Sequence, residues 1–416
     1  MSKLEELIQT YCPDGVEYVR LGNCIKSLNT GLNPRQFFKL NTDDATNYYV
    51  TIKELHHNTV VFNEGTDKIN DEALRLCNNR SNLEKGDVLF SGTGTIGEVA
   101  ALEETPKNWN IKEGVYSIKP IPSIINHRFL MYLLQSSSIK QEYLKKAAGG
   151  TVKSVPMVEM RKLEIPLPPL PVQEEIVRVL DTFTELQAEL QAELQKRLQQ
   201  YNYYRDNLLS FEGRTDVEWK KLGEVMTIQR GASPRPIQSF LTDDEKGVPW
   251  IKIGDVSPQS KYISSTKEKV TKEGAAKSRY LKKGSFILSN SMSFGRPYIL
   301  EIDGCIHDGW ISMCDFQEYL NPDFLYHLLR SNTVQSYWVS KANSGGAVAN
   351  LNSDIVRDTL IPLPSFEEQQ QVVEVLDRFN ALTSDLSQGL PAEIEKRGQQ
   401  YEFYRDKLLT YKRKEA

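Results

Sequence analysis

The chain has 416 residues, a length that suits two or three domains of ordinary size. Apolar side chains make up 39% of it and charged side chains 25%, as in average globular proteins, which excludes a disordered or fibrous chain. The formal net charge of −4, from 51 basic and 55 acidic residues, argues against a protein that coats nucleic acid by bulk charge. No run of about 18 apolar residues occurs, and residues 1–10 have the pattern of a polar helix start, so we expect neither a membrane span nor a secretory signal. Five scattered cysteines suit a reduced protein, which we expect in the cytoplasm.

Residues 1–165 mix strand and helix patterns. Residues 87–91 are short, apolar and bounded by glycine, which predicts a strand, and residues 128–135 have helical spacing. The next segment, 92–97, matches GxGxxG, the phosphate-binding pattern of dinucleotide sites. Such a site needs a long helix at its last glycine, but residues 98–106 run only briefly to a proline. We therefore expect a turn between two strands, with a cofactor site as the alternative.

Residues 166–213 predict a long helix. Apolar side chains recur there at a mean spacing of about 3.56 residues, between the coiled-coil period and that of a free helix. Pro171 suits the first helical turn, and Pro166 and Pro168 prevent the helix from extending backwards. About 38 residues give a rod of roughly 57 Å. The predicted coiled-coil positions are Phe183, Leu186, Leu190, Leu194, Leu198, Tyr201, Tyr204 and Leu208.

Residues 214–360 again mix strand and helix patterns. Segments 248–253 and 285–289 predict strands, and segment 323–330 predicts a short helix. Residues 252–283 hold nine Lys and Arg against three acidic residues. This basic stretch is either a solvated face or a patch that binds phosphate.

Residues 361–416 predict a second helical segment. Ser365 and Glu368 have the spacing of a capping box. Gly389 and Pro391 are typical of a helix end followed by a helix start, so we expect a short helix, a tight turn and a longer helix. The predicted coiled-coil positions are Phe379, Ile394, Tyr401, Tyr404 and Leu408.

The chain is a tandem duplication. Segments 193–209 and 393–409 are identical at 11 of 17 positions, where chance would give about one. Segment 165–168 matches 361–364, and weaker matches keep the same order through the rest of each half. Each half is a divergent α+β part followed by a well-matched helical part. The predicted domains are 1–165, 166–213, 214–360 and 361–416.

The sequence offers no pattern of catalytic residues. It has no GxxxxGK(S/T) phosphate loop. The pairs His56-His57 and His307-Asp308 have no further ligands at metal spacing, and we expect both in surface loops. The cysteines lack CxxC spacing, which predicts neither a zinc site nor a disulfide framework. We therefore expect no enzyme activity, no cofactor and no metal in this chain. The cysteines are Cys12, Cys24, Cys77, Cys305 and Cys314.

The duplicated helical parts resemble those of the specificity (S) subunits of type I restriction–modification systems. The resemblance is carried by IPLPPLPVQEEIVRVLDTF, TELQAELQAELQ and QYNYYRDNLL in the first half, and by the copies at 361–379 and 389–409. It covers the whole chain. It implies two target-recognition domains that each bind one part of a bipartite, asymmetric site on double-stranded DNA, and helices that pair into an antiparallel coiled coil.

The resemblance also implies the partners. In this family two methyltransferase subunits join the specificity subunit, and restriction/translocase subunits join for cleavage, so S-adenosylmethionine, ATP and Mg²⁺ chemistry is expected in those partners. Residues 184–195, with three near-copies of a four-residue unit, resemble the family repeat whose copy number sets the distance between the half-sites. A helical arm longer than the roughly 34 Å turn of DNA suits two domains that contact the major groove on one side.

No residue-level code carries over from the family, because target domains diverge with the DNA they recognise. Polar, glycine-containing loops are our candidates for DNA contact, since they allow close backbone approach and carry hydrogen-bonding groups. A simple turn without contact to DNA is the alternative for each. The candidates are Ser91, Thr93, Thr95 and Lys153 in the first half, Asn290, Ser291, Ser293, Arg296 and Lys341 in the second, and Lys277 and Arg279 as phosphate contacts.

Three other classes of protein compete with this assignment. A DNA-binding module of an orphan or truncated system would share the whole pattern. A coiled-coil scaffold protein that does not bind DNA would explain the helical parts but not two strand-rich domains. A fused nuclease or methyltransferase would need motifs that the sequence lacks.

Overall fold

The computed structural model describes residues 3–256, 260–290, 294–342, 350–384 and 389–415. The chain divides into two compact units: unit 1 comprises Met1–Leu190 and Ile394–Ala416, and unit 2 comprises Gln191–Glu393. In the described residues no helix has the length and apolar character needed to cross a membrane.

The first half is a mixture of short strands and helices that ends in one long helix. Its helices are α1 Lys3–Tyr11, α2 Pro34–Phe37, α3 Asp71–Ser81, α4 His127–Gln135, α5 Ser137–Lys145, α6 Met157–Arg161 and α7 Leu170–Leu208. Its strands are β1 Tyr18–Arg20, β2 Ile25–Thr30, β3 Asn47–Val50, β4 Leu55–His56, β5 Thr59–Val60, β6 Lys68–Ile69, β7 Val88–Ser91, β8 Val99–Ala101, β9 Trp109–Ile111, β10 Val115–Pro120 and β11 Glu164–Pro166.

Two sheets form the body of this half. The larger is antiparallel, with strand order β2-β10-β7-β8, and the smaller has the order β6-β3-β9 with β3 and β9 parallel. Strand β7 is buried on both faces, because Val88 and Phe90 pack into the cluster that contains α4 while Leu89 packs against β3 and β9. The predicted strand at 87–91 and helix at 128–135 are confirmed.

The second half repeats this plan. Its helices are α8 Leu222–Val225, α9 Lys272–Ala276, α10 Pro322–Leu329, α11 Asn332–Ala342, α12 Ser353–Arg357, α13 Phe366–Ser384 and α14 Leu390–Leu408. Its strands are β12 Glu218–Lys221, β13 Thr227–Arg230, β14 Leu241–Thr242, β15 Val248–Ile251, β16 Tyr262–Ile263, β17 Glu268–Val270, β18 Arg279–Leu281, β19 Phe286–Ser289, β20 Pro297–Leu300, β21 Gly304–Ile306, β22 Trp310–Cys314 and β23 Leu360–Leu363.

The sheets of the two halves correspond strand by strand. The run β13-β22-β19-β20 matches β2-β10-β7-β8, and the parallel pair β15 and β21 matches β3 and β9. The second half adds β16 to the first of these sheets and β14 and β18 to the other. The predicted strands at 248–253 and 285–289 and the helix at 323–330 are confirmed. The fold is therefore α+β in two tandem copies, as predicted.

The segment that matches GxGxxG is a turn. It joins β7 to β8, which are antiparallel neighbours, and no long helix follows its last glycine. A dinucleotide site of the predicted alternative type would need that helix for its backbone N–H groups. The expectation of a turn between two strands is confirmed.

The helical arms differ in one respect from the prediction. Helix α7 is continuous over 39 residues, as expected. Helices α13 and α14 have 19 residues each, so the expected short and longer helix is wrong, because the break near Gly389 divides the arm evenly. The predicted tight turn falls partly at 385–388, outside the described residues. Of the capping box, Ser365 Oγ accepts the Glu368 N–H at 3.3 Å, while the Glu368 carboxylate forms an ion pair with Arg214.

Helix pairing is antiparallel in unit 1. The Phe183 ring of α7 lies 5.6 Å from the Tyr404 ring of α14, and one turn further along α7 a Cβ at Gly398 would lie 3.6 Å from Gln187. Helices α7 and α14 therefore run in opposite directions. In unit 2, Tyr204 of α7 stacks on Phe379 of α13 at 5.3 Å.

The predicted coiled-coil positions are less buried than a leucine core implies. Tyr201 is 3% exposed, whereas Leu186 is 44% exposed. A helix with a single partner buries a narrow stripe, which leaves the edges of its apolar side chains in solvent. The positions that are half-buried are Phe183, Leu190, Leu194, Leu198, Leu208, Phe379, Ile394, Tyr401 and Leu408.

Each unit binds the end of an arm helix in the same way. In unit 1 the Ser137 N–H donates to Asp406 Oδ1 of α14 at 3.0 Å, and in unit 2 the Asn332 N–H donates to Asp206 Oδ1 of α7 at 3.0 Å. Beyond α14, the Val16 N–H donates to the Lys412 carbonyl at 2.9 Å. The C-terminal helix therefore completes unit 1 as the C-terminal part of α7 completes unit 2.

Candidate nucleic-acid interface

Both units contain a cleft at the same place in the fold. Each cleft is formed by the segment after β3 or β15, the turn before β10 or β22, and the end of β7 or β19. The first cleft has a volume of about 650 Å³ and the second about 670 Å³. The polar residues of the first cleft are Thr51, Lys53, His56, Thr93, Thr95, Glu98, Lys112 and Glu113. Those of the second are Arg230, Lys252, Asn290, His307, Asp308 and Asn350.

A glycine next to each cleft allows two backbone segments to approach closely. The Gly31 N–H donates to the Val115 carbonyl at 3.2 Å, and the Gly231 N–H donates to the Trp310 carbonyl at 2.8 Å. A Cβ at Gly31 would lie 2.0 Å from the carbonyl oxygen of Ile111. A Cβ at Gly231 would lie 2.0 Å from the carbonyl oxygen of His307. No side chain fits at either position without moving the backbone that forms the cleft.

We expect Gly231→Ala to destabilise unit 2 by about 2 kcal/mol, since the added methyl group meets rigid backbone. Urea unfolding of the full chain measures the difference. Gly254→Ala is the matched control, because Gly254 lines the same cleft and a Cβ there has no atom within 4 Å. Equal stability of the two variants would contradict the close approach at Gly231.

The first cleft contains two of the four DNA-contact residues predicted for its half. Thr93 and Thr95 line it, and the exposed Lys153 lies beside it, where its carbonyl accepts the Gly94 N–H at 2.9 Å. Ser91 is fully buried, and its hydroxyl donates to the Thr95 carbonyl at 2.7 Å. This hydroxyl shapes the turn and does not face solvent.

The second cleft contains one of the residues predicted for its half. Asn290 lines it but is 4% exposed, and its Nδ2 donates to the Asp308 carbonyl at 3.0 Å. Ser291 and Ser293 lie outside the described residues. Arg296 is half-buried at the end of the same loop, where its N–H donates to Ser289 Oγ at 3.2 Å.

The remaining predicted residues are not among the lining residues of the second cleft. Lys277 is exposed, with its Nζ 4.6 Å from the Phe240 ring centroid, and Arg279 is half-buried on β18. Lys341 is exposed on α11, with its Nζ 5.8 Å from the Tyr337 ring centroid. These three positions stay predicted phosphate or base contacts.

The basic stretch 252–283 is partly neutralised by carboxylates. Lys252 pairs with Glu268 at 2.5 Å, Lys282 with Asp303 at 2.8 Å, and the half-buried Lys261 with Asp323 at 2.5 Å. Three of the nine basic side chains of the stretch are therefore paired with carboxylates.

The sequence missed several residues that line the clefts. Lys53 and Lys112 line the first, and Arg230 and Asp308 line the second. Lys252, the first residue of the basic stretch, also lines the second cleft. For Lys53, Lys112 and Asp308 the signal that could have found them is the duplication, since segments 51–53 and 112–114 correspond to 252–254 and 307–309. Arg230 lies outside these segments.

Asp308 is the carboxylate among the lining residues of the second cleft. Ser233 Oγ donates to Asp308 Oδ1 at 2.8 Å, and this hydrogen bond lowers the pKa of the Asp308 carboxyl group. The carboxylate is therefore ionised at neutral pH.

The histidine pairs predicted in surface loops lie in a hairpin turn at His57 and in the turn before β22 at His307. Among the described residues, no group of three or more His, Cys, Asp or Glu could hold a metal ion.

The fold of this chain is similar to that of a solved structure. Over 95% of this chain it is similar to a chain from a solved structure of the type I R-M system that concerns complex assembly and conformational transition. The TM-score is 0.62 at 18% identity, and 98% of that chain is covered.

The family follows from the sequence matches. Residues 13–200 and 215–396 match the type I restriction modification DNA specificity domain, and the chain belongs to this family. A type I restriction enzyme specificity subunit of Escherichia coli is 34% identical over 271 residues, which cover 62% of this chain and 65% of that protein. A putative type I restriction enzyme specificity subunit of Haemophilus influenzae is 32% identical over 299 residues, which cover 69% of this chain and 73% of that protein. The chain thus spans just under two thirds of the E. coli relative and somewhat more of the other.

Proposed function

We propose that this protein is the DNA-specificity subunit of a type I restriction–modification complex, in which each half binds one part of a bipartite, asymmetric DNA target. The observation that carries the proposal is the duplicated cleft. The two clefts occupy the same place in the fold, yet one presents Lys53 and Lys112 and the other Arg230 and Lys252. Cations suit phosphate oxygens, and the differing polar groups between them suit different base edges.

Mapping of methylated adenines in cells with and without this gene tests the proposal. We expect a bipartite motif, two short sequences with an unread spacer, that is methylated only when the gene is present. Equal methylation in both strains would contradict the proposal and favour an orphan module or a scaffold protein.

We further propose that catalysis belongs to partner subunits. The purified protein alone is expected not to methylate DNA, cleave DNA or hydrolyse ATP, since its sequence lacks the corresponding motifs. Addition of the methyltransferase partner and S-adenosylmethionine should give methylation, and addition of the translocase/nuclease subunit with ATP and Mg²⁺ should give cleavage. Activity of the isolated chain would contradict this division.

The arms offer two equal surfaces for a methyltransferase subunit. Tyr203 of α7 is 66% exposed and Phe403 of α14 is 63% exposed. Each ring packs edge-on against the next tyrosine, Tyr203 on Tyr204 at 5.5 Å and Phe403 on Tyr404 at 5.4 Å, both with an interplanar angle of 75°. Exposed aromatic pairs are typical of interface centres, and two copies of one surface suit two copies of one partner.

We expect Tyr203→Ala and Phe403→Ala each to remove one of two bound methyltransferase subunits, and the double variant to remove both. Loss of a central aromatic contact weakens binding by about 2 kcal/mol, roughly 30-fold. Native mass spectrometry of the complex gives the stoichiometry. Gln199→Ala and Glu402→Ala change exposed neighbours on the same helices and serve as controls. A double variant that still binds two subunits would exclude these surfaces.

A further inference from the structure

Each cleft holds a carboxylate at an equivalent position, and the first cleft is lined by a second one, Glu98. Glu113 lies in the turn before β10, and Asp308 lies in the turn before β22, each directly before a glycine. These turns correspond in the duplicated fold, since β10 and β22 occupy the same place in their sheets. The carboxylate is therefore a feature that both halves share, although most other polar side chains of the clefts differ.

Both carboxylates are oriented by an equivalent partner. Asn33 Nδ2 donates to Glu113 Oε2 at 2.8 Å, and Ser233 Oγ donates to Asp308 Oδ1 at 2.8 Å. Asn33 and Ser233 each follow the cleft glycine, Gly31 or Gly231, by two residues. The residue types differ between the halves, but the arrangement of a short polar donor and a carboxylate is retained.

The turn that carries Asp308 is also fixed through its backbone. The Asp308 carbonyl accepts from Arg230 Nε and from Asn290 Nδ2, both at 3.0 Å. The side chain of Asp308 is 43% exposed, and Glu113 is exposed. Asp308 Oδ2 also lies 3.7 Å from Arg235 Nη2, on a side chain that is itself 86% exposed. These contacts use only part of the roughly four lone-pair sites of a carboxylate, so each group keeps acceptor capacity towards its cleft.

A carboxylate is unfavourable next to DNA phosphates, because the like charges repel. It is favourable where it accepts a hydrogen bond from an exocyclic amino group of a base. In the major groove, cytosine N4 and adenine N6 present such groups, while guanine and thymine present acceptors at the corresponding positions. In the first cleft the nearby cations Lys53 and Lys112 suit the flanking phosphates. In the second cleft Lys252 is paired with Glu268, so Arg230 is the cation that suits them.

Resting on the proposed function, we infer that Glu113 and Asp308 determine specificity, each as the acceptor for the exocyclic amino group of a cytosine or adenine in the major groove. Glu113 would contact one such base in the first half-site and Asp308 one in the second. One position in each half-site therefore requires a base that carries an exocyclic amino group.

The test uses the full chain in complex with its methyltransferase partner and DNA that carries the mapped target. Each cytosine of the target is replaced in turn by 2-pyrimidinone, and each adenine by purine, so that the amino group alone is removed. Dissociation constants are measured for the wild-type protein, Glu113→Ala and Asp308→Ala. Base pairing lost with the amino group affects all proteins alike, so the signal is the coupling between base and side chain in a double-mutant cycle.

We expect a coupling of about tenfold in the dissociation constant between Glu113→Ala and one base position of the first half-site. We expect the same between Asp308→Ala and one base position of the second half-site. The analogue that gives the coupling, 2-pyrimidinone or purine, shows whether the contacted base is cytosine or adenine. Glu72→Ala and Glu318→Ala, at exposed carboxylates outside the clefts, should show none. Glu113→Gln and Asp308→Asn keep the side-chain shape and guard against loss of folding in the alanine variants.

Wild-type binding that is insensitive to removal of every amino group would overturn the inference without any variant. Coupling at no position, or in the wrong half-site, would overturn it as well, while the bipartite target and the proposed function would stand. Absence of any gene-dependent bipartite target in the wild-type complex would instead overturn both.

Discussion

Deletion of residues 188–191 is expected to leave both half-sites unchanged and to shorten the spacer between them by one base pair. The deleted unit is one of three near-copies within α7, which is helical without a break from Leu170 to Leu208. Four residues are about one helical turn, so the helix shortens by about 6 Å and its far end rotates by about 40°. That rotation is close to the roughly 35° that one base pair adds to the DNA duplex. Methylation at the original spacing should be lost entirely.

Methylome mapping of the deletion strain measures both half-sites and the spacer at once. Insertion of a fourth Ala-Glu-Leu-Gln unit is the matched variant and should lengthen the spacer by one base pair. The block suits such changes, since Leu186 is 44% exposed and Leu190 and Leu194 are half-buried, so no tightly packed core must be rebuilt. An altered half-site sequence, or an active complex with the original spacer, would show that this helix does not set the separation.

Replacement of His327 by alanine is expected to destabilise unit 2 by about 3 kcal/mol. His327 lies on α10 and is fully buried. Its Nε2 lies 2.7 Å from Asp377 Oδ1 of α13, and its Nδ1 lies 3.0 Å from the Tyr201 hydroxyl of α7. The ring therefore joins three helices of the unit. Its removal leaves a cavity and deprives the buried Tyr201 hydroxyl of this partner.

The same residue gives stability a defined pH dependence. Burial lowers the pKa of His327 below its usual 6.5, with further lowering from Lys261 and Arg330, against the opposing effect of Asp377. The unfolded chain therefore binds a proton at a higher pH than the folded protein does. The contribution of His327 to the free energy of unfolding is therefore fully present above about pH 6.5. It declines as the pH falls towards the pKa of His327 in the folded state.

The first half supplies a matched control for this prediction. At the corresponding place on α4, the Tyr132 hydroxyl donates to Asp181 at 2.6 Å. We expect His327→Tyr to fold, to keep the bond to Asp377, and to lose less stability than the wild type between about pH 7 and pH 5. Urea unfolding across this range measures the difference. Parallel pH curves for the two proteins would show that His327 does not titrate in this way.

The local elements of the fold could be predicted from the sequence. The spacing of apolar residues and Pro171 determined α7, and short apolar runs bounded by glycine determined β7 and β19. These signals act between neighbours in the chain, where side-chain periodicity and the restricted backbone of proline and glycine decide the conformation. The duplication was also visible, because it depends on residue identity alone.

The burial of single polar residues was not predictable. Ser91 looked like a residue that faces a ligand, but its hydroxyl closes the turn between β7 and β8. A serine in a glycine-containing loop has the same sequence pattern in both cases. Which of the two occurs depends on the strands and loops that surround it.

The sequence by itself determined what this protein is made of: two α+β halves, a long unbroken helix, a second arm interrupted near Gly389, and the family that these parts indicate. Only the tertiary structure decided how they are combined. Asn33 contacts Glu113 across 80 residues, and Ser233 contacts Asp308 across 75, so each cleft exists only once its sheets have formed. Likewise, residues 394–416 belong to unit 1, where Lys412 pairs with Val16. Such contacts join segments that are far apart in the chain, and local sequence patterns carry no information about which distant segments will meet.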